Sequence, residues 1–475
     1  MPSIPLPIQS YEHRSNPAST SRLQNCFIEP LPGGAKTGAA LTRAPGIVSW
    51  TTVGDGPIRG MLRTYGKGYP HSSASGSNLW VVSGDKLYTV GPTGTAANRM
   101  TIGTPTQIDM AANTTDIVVV NEPDAYYHDI TTTSTNGQIT DTDFTALGAK
   151  LVEFLDNFLL FVAPDSDTLF GADLGSATSF DALNFATAES SPDHITGMKA
   201  DHGQLLLFGE ESSEVWQNTG VAGFPFQKAI NGVIEQGCAA INSPAKQDQT
   251  IFWLAEDGTV RRLEGLTPMR VSTHGIEQIL GGLDLNSAIG GAYSMEGHLF
   301  YALHVDARTF LYDVTTQMWH ERITIDKAGW DIRFFANVYD KIIVGDYNSN
   351  RLGYLDFDTY DEFGSIQVMS WTYQPVYAEG ITVFHDKLEI IMNTGHGLNT
   401  GQGSAPVIML EYSDDGGETW THAPDKSLGA IGRFDVRVIW SGLGSSRERV
   451  YRCSISDPIK VVVTDTILSA RGGRL

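Results

Sequence analysis

Ser413, Asp415, Gly417, Thr419 and Trp420 stand in the order S-x-D-x-G-x-T-W within SDDGGETW, a short pattern whose residue types share a defined chemistry. Ser and Asp oxygens can accept bonds from nearby backbone N–H groups, Gly admits positive φ, and the indole packs under the hairpin. This arrangement, the Asp-box, is a turn staple and not a catalyst. A second group is cationic: Arg433, Arg437, Arg447, Arg449 and Arg452 crowd into twenty residues in which only Asp435 and Glu448 oppose them. One reading is a docking surface for an acidic neighbour or a segment of DNA. The other, favoured by how freely Arg is used in interfaces, is ion pairing across strands or between like subunits. Both point to assembly more than to catalysis.

Enzyme chemistry finds little footing. The sequence has no HExxH, no GxSxG, no GxxxxGK[ST] and no GxGxxG opening a helix. Asp-boxes recur in sialidases, but there several lie within the blades, whereas here a single box lies beyond the repeats. Glycoside cleavage needs two carboxyls at a set separation or a Tyr nucleophile with an arginine cluster, and among 54 acids no pair stands out. The twelve His residues lack metal-ligand spacing, and Asp356, Asp358, Asp361 and Glu362 lack the spacing and central Gly of an EF-hand loop. Cys26, Cys238 and Cys453 are odd in number and far apart, which reads as buried thiols and not as a disulfide framework or a zinc site. No catalytic, cofactor-binding or metal-binding residue is assigned.

The elements that must position these residues are strands. Seven short apolar segments begin at Asn78, Asp116, Asn157, Gln204, Thr250, His298 and Lys341, at intervals of 38, 41, 47, 46, 48 and 43 residues. Their mean of about 44 matches the period of a four-stranded propeller blade. Each segment runs into a Gly, Asp or Asn turn and a second short strand, as in TIFWL, AEDG, TVRRL from Thr250 to Leu263. A hairpin alone is marginal, but radial stacking of blades buries both faces of each sheet. A large sandwich would space its strands at about 8 to 12 residues without the longer period. The expected fold is therefore all-β: a propeller of about seven blade-like repeats over residues 61–365. An extended N-terminal arm, residues 1–60, is rich in Pro, Gly, Ser and Thr, with turns at Pro30–Gly34 and Ala44–Gly46. Residues 366–475 alternate, with Ile408, Leu410 and Tyr412 on one face and the same alternation in Phe434, Val436 and Val438, which predicts a C-terminal β-sandwich. The one helical signal is GIEQIL, Gly275–Leu280, a connector.

Charge narrows the partners. There are 32 basic and 54 acidic side chains, a net −22, and residues 101–200 hold fifteen acids against Lys150 and Lys199. Such a surface repels phosphate, so wrapping or gripping DNA through many cationic contacts is not expected. Solubility explains the charge equally well as a channel wall that DNA must pass without sticking. The opening MPSIPLPIQS lacks the basic and apolar regions of a signal peptide, and no apolar run is long enough for a bilayer, so neither secretion by a standard signal nor membrane insertion is expected.

Several stretches, taken in order, carry a family resemblance. FGEESSEVWQNTG (Phe208–Gly220), FPFQKAINGVIEQGCAA (Phe224–Ala240), FWLAEDGTVRRLEGLTPMRVSTHGIEQIL (Phe252–Leu280) and LYDVTTQMWHER (Leu311–Arg322) resemble the packaged-DNA stabilisation proteins of short-tailed bacteriophages, the podoviral tail hub or nozzle proteins. RLQNCFIEPLPGGAKTGAALTRAPGI near the start, and YSDDGGETW, RVIW and LGSSRERVYRCSISDP near the end, look like the ends of the same family, while residues from Thr95 to Asp193 contribute little. The resemblance implies a virion protein without catalytic activity, made in the bacterial cytoplasm and forming a homo-oligomeric ring, a hexamer, below the portal and adaptor. That ring would extend the DNA channel, retain packaged DNA, and dock fibres, spikes or a tail plug. It would pass genomic DNA without reading sequence and would need no cofactor. Acids of the first blades, Asp116 to Asp193, are then expected along the lumen. The competing expectations are a receptor- or glycan-binding tail adhesin and, behind it, a sialidase-like glycosidase.

Overall fold

The seven apolar segments become the second strands of seven antiparallel blades in the computed structural model, which describes residues 4–13, 19–33, 37–64, 79–104, 107–131, 135–188, 193–378 and 380–473. Asn78, Gly34 and Glu189 lie outside the described residues. Blades 1 to 6 each take four consecutive strands, beginning at Ile58–Arg63, Ile108–Ala112, Leu151–Leu155, Gly197–Asp201, Ala245–Gln247 and Ile289–Met295. These are the inner strands. Each lies against the next, and that of blade 7, Ile332–Val338, returns to blade 1 and closes the ring.

The apolar runs are unbroken because a second strand is buried on both faces. In Gln204–Phe208, Leu205 and Leu207 join the core shared with blade 3, while Leu206 and Phe208 join the core shared with blade 5. The same division gives seven inter-blade cores, one in each gap of the ring. A run of this kind reads as continuous apolar sequence and not as alternation. Tight turns join first to second strands: Asp156 and Asn157, Asp248 and Gln249, and Tyr339 and Asp340 all adopt positive φ, the two-residue geometry that suits the strand twist.

Residues 1–60, read above as an extended arm, are distributed among both sandwich sheets, blade 7 and the start of blade 1. Thr20–Gln24 pairs with Met369–Thr372 and, through Gln24, with Glu321 at the end of blade 6. Cys26–Pro30 and Ala39–Arg43 form a hairpin that joins Val462–Gly472 in the opposite sandwich sheet. Gly46–Thr52 is the outer strand of blade 7, paired with Arg351–Asp356. Blade 7 is thus closed by strands from near both ends of the propeller sequence. The sandwich core is built around Trp371, Tyr373, Leu388, Leu410, Trp440 and Tyr451, all buried. Ile408 and Leu410 point into it as the alternation predicts. The alternation read at Phe434, Val436 and Val438 does not make one strand: the strand is Val438–Ser441, and Phe434 sits exposed in a loop bent by Gly429 and Gly432 at positive φ. The connector helix is His274–Leu280, capped by Thr273.

Candidate functional site

The Asp-box closes the hairpin between Val407–Ser413 and Thr421–Ser427. Ser413 Oγ donates to Asp415 Oδ1 (2.6 Å) and accepts from Gly417 N (2.8 Å). Asp415 also accepts from Thr419 N (2.9 Å) and Thr419 Oγ1, and Trp420 Nε1 donates to Gly417 O (2.9 Å). The donors hold the Asp415 carboxyl well below the usual carboxylate range, Ser413 first and Thr419 next. Both carboxylate oxygens are occupied by the turn itself.

Two of the five arginines flank this hairpin. Arg449 is buried, makes a two-pronged pair with Asp414 (2.6 and 2.7 Å) and lies 4.1 Å from the Tyr412 ring centroid. Arg452 pairs with Glu411 (2.7 Å) and lies 4.0 Å from the Trp420 ring centroid. Arg437 grips Glu389 through two nitrogens on the other sheet, and Arg433 reaches Asp435 only at 3.8 Å. Arg447 is exposed and makes no ion pair among the described residues. The five are therefore not gathered into one patch: three face carboxylates in their own sheets, and Arg433, Arg437 and Arg447 remain open to solvent.

The propeller axis holds a cavity of about 430 Å³ lined by residues from all seven blades, among them Arg59, Asp109, Leu151, Lys199, Asn242 and Phe334. Arg59 and Arg333 stack on the Tyr347 ring at 4.3 and 3.8 Å. Lys199 faces Glu153 at 3.8 Å, and Asp109 accepts from Val152 N (3.0 Å). Burial pushes the Glu153 carboxyl up against the pull of Lys199; burial also opposes the Lys199 charge, but Asp109 and Glu153 outweigh it and leave that pKa raised. The axis is thus lined by side chains that pair between neighbouring blades. A cavity of this size is far too small for duplex DNA, whose major groove alone is about 12 Å wide.

The acids of the first blades are spread over both ends of the propeller. Asp116 and Asp156 lie where first strands turn into second strands, and Glu122, Asp124, Asp165 and Asp167 lie at the opposite end, where second strands turn into third.

Sequence reasoning missed the junction between propeller and sandwich. Glu321, buried in blade 6, is clamped by Arg22 (2.8 Å) from the N-terminal strand and Arg308 (2.9 Å) from its own blade, and these cations overcome the effect of burial and keep its pKa low. Arg322 is fully buried, bonds Glu362 (3.0 Å) and Pro45 O (3.1 Å), and stacks on Trp330. Arg43, also buried, reaches Asp457 O, Ile459 O and Tyr360 O, and bonds Gln367. These guanidiniums tie three backbone segments to two domains, a use for which Arg's fixed fork is suited. A lone Arg in an apolar strand such as AALTR offered no signal for it. Among the described residues no group of three His, Cys, Asp or Glu could hold a metal ion, and no helix is long and apolar enough to cross a membrane.

Two family models match the chain. The one described as Bacteriophage P22 Gp10, beta-propeller covers residues 6–360, and the one described as Bacteriophage P22 Gp10, beta-sandwich covers residues 370–470. No curated protein matches. Among solved structures, the chain is similar to the β-propeller domain of Cps50 (Swd1) from Myceliophteria thermophila, at 8% identity and a TM-score of 0.43, over 65% of this chain and 99% of that one. It is also similar to the Dos1 propeller, at 10% identity and a TM-score of 0.40, over 75% and 97%.

Proposed function

The chain belongs to the bacteriophage P22 Gp10 family of packaged-DNA stabilisation proteins, and from that membership we propose that it is a non-catalytic structural component of a short phage tail, part of a ring that continues the DNA channel. The observation that carries the reading is the family match to both domains in order along the chain. Three features of the molecule support it. Seven packed blades, tied to the sandwich through the buried Arg43, make a rigid block of the kind a wall needs. The cavity on the propeller axis is too small for duplex DNA, which supports a passage between copies and not through one. Acids at both propeller ends give a surface from which phosphate is repelled. The ring, which we take as a hexamer, would dock on the adaptor above and carry fibres, spikes or a plug below.

Genome retention tests this. Particles made without the protein are expected to lose packaged DNA during purification and to keep it when purified protein is added back. Full, stable heads that only fail to adsorb to cells would replace this reading with a receptor-binding adhesin. Turnover of a glycoside by the purified chain, abolished by a single carboxylate substitution, would replace it with a glycosidase.

A further inference from the structure

We infer that copies of this chain meet head to tail, with the sandwich loop of residues 428–437 in one copy seated on the outer strands of blades 3 and 4 of the next; the inference rests on the ring reading above. It begins with strand edges. The outer strands of blades 6 and 7 are covered within the chain, the first by Thr20–Gln24 and the second by Asp361–Glu362. Among the described residues the outer strands of the other five blades pair with a strand on one side only, and the start of blade 3's is capped by the Thr142–Leu147 helix, where Asp141 and Asp143 accept from Phe180 N and Ala182 N. An open edge invites pairing and is usually kept short or interrupted by Pro or charge. Blade 2 ends in the three-residue Asn136–Gln138, blade 5 in Thr267–Arg270 with Pro268, and blade 1 in a strand carrying Arg99.

Blades 3 and 4 also carry a charge each, Asp181 and Lys228, but differ in length and in what they expose. Their outer strands, Phe180–Thr187 and Phe226–Ile234, are eight and nine residues long and expose Leu183 (75%), Phe185 (49%), Ile230 (90%) and Val233 (44%). Exposed apolar side chains clustered on the long outer strands of adjacent blades are the mark of a surface that is covered in the assembled state. These blades are also the acidic part of the ring: residues 151–234 hold twelve Asp or Glu against Lys199 and Lys228. Blade 3 stands three blades away from both blade 6 and blade 7, so it lies across the propeller from the sandwich.

The complementary surface is on the sandwich. Ile431 (57% exposed) and Phe434 (68%) project from a loop held by backbone bonds, Gly432 N to Gly395 O and Arg433 N to Ala430 O, and by Thr394 Oγ1 to Phe434 O, each 3.0 Å. A loop already fixed in shape loses little entropy when it docks. Arg433 and Arg437 flank the two apolar side chains, with side chains about 70% and 67% exposed. One surface is apolar within a mostly acidic stretch, the other is apolar between two arginines with Asp435 beside them, so the net charges differ in sign. Two different patches that fit each other make a heterologous contact, which closes into a ring when the rotation per subunit closes.

Cross-linking in assembled phage particles tests the pairing. Cys26, Cys238 and Cys453 are buried, so a bis-maleimide reagent reads only introduced thiols. Particles carrying Ile230→Cys and Phe434→Cys in the same chain are expected to give a ladder of covalent oligomers, and particles carrying either change alone to give monomer. A ladder from a single variant would mean like patches meeting, and would overturn the head-to-tail contact. Monomer from the double variant, in particles where a lysine-reactive reagent still produces oligomers, would overturn the interface and leave the ring standing. Monomer with both reagents would overturn the ring and the interface together. If the double variant does not enter particles, Leu183→Cys with Ile431→Cys asks the same question at neighbouring positions.

Discussion

At the scale of single residues, the molecule hides more chemistry than it displays. His304, His320 and His385 are buried, and burial pushes their pKa values down to about 3, 3 and 4. His385 is held neutral between Tyr451 OH (2.8 Å) and Ser446 Oγ (2.9 Å), and His304 rests on Thr309. The unfolded chain takes up a proton at each of these histidines near their ordinary value of 6.5, and the folded chain does so only several units lower. Stability is therefore complete above about pH 6.5 and falls as pH drops toward 4, by up to about 1.4 kcal/mol per pH unit for each histidine. His298 works the other way: its bond to Asp313 raises its pKa, so its contribution is present at low pH and is lost as pH rises through that raised value. With four lowered histidines, buried His128 among them, against one raised, the denaturant midpoint is expected to be lower at pH 5 than at pH 7, and His304→Gln is expected to flatten that dependence. Equal midpoints at the two pH values would show that these rings are not held neutral. None of this was visible in the sequence, where the same histidines look scattered; a ring's pKa depends on neighbours far along the chain, such as Tyr451 beside His385.

At the scale of elements, what could be read from sequence follows burial. Second strands are enclosed by neighbouring strands and by two inter-blade cores, so their central residues form apolar runs and the repeat appears in any window that contains one. Outer strands such as Asn136–Gln138 are exposed, and no such pressure shapes them. The N-terminal strands were unreadable for a different reason. Leu23 faces Trp371 across a strand pair, and Ile47 faces Leu355, so their partners lie more than three hundred residues away and local composition reports only Pro and Gly. The arginine group fails in the same way: Arg437, Arg449 and Arg452 find Glu389, Asp414 and Glu411 at separations of 48, 35 and 41 residues, which spacing within a twenty-residue window cannot reveal. The Asp-box, in contrast, is local, and every bond expected of it is made within eight residues. Ring closure is where the long-range pairing matters most. Ile47 is buried between blades 6 and 7, so Ile47→Ala is expected to destabilise the fold by about 2–5 kcal/mol, measured as a lower denaturant midpoint. A chain beginning at residue 54 loses the outer strand of blade 7 and three sandwich strands together, and is expected not to fold. If it unfolds cooperatively at the midpoint of the full chain, Gly46–Thr52 does not close the ring.

At the scale of the whole molecule, charge and shape bear on the same question, how a protein can hold DNA in place without binding it. Each phosphate contact made by Lys or Arg releases counterions, and affinity built that way falls steeply with salt. A chain with 54 acids and 32 bases has little to offer such contacts, and several of its arginines are already consumed, Arg43 and Arg322 in the junction, Arg449 in the hairpin. In the ring proposed above, retention would come from geometry, a narrow passage walled by acid between copies. The isolated chain is therefore expected to leave duplex DNA unshifted in electrophoresis even at low salt, where electrostatic attraction is strongest. Fusing a few lysines onto the exposed turns at Asp156 and Asp248 by substitution is expected to create weak, salt-sensitive binding, because those turns carry the repelling charge outward from the propeller. Tight binding by the unaltered chain, with a salt slope of several phosphates, would mean that it grips the genome through a cationic surface, and the open arginines Arg433, Arg437 and Arg447 would then be the first place to seek it.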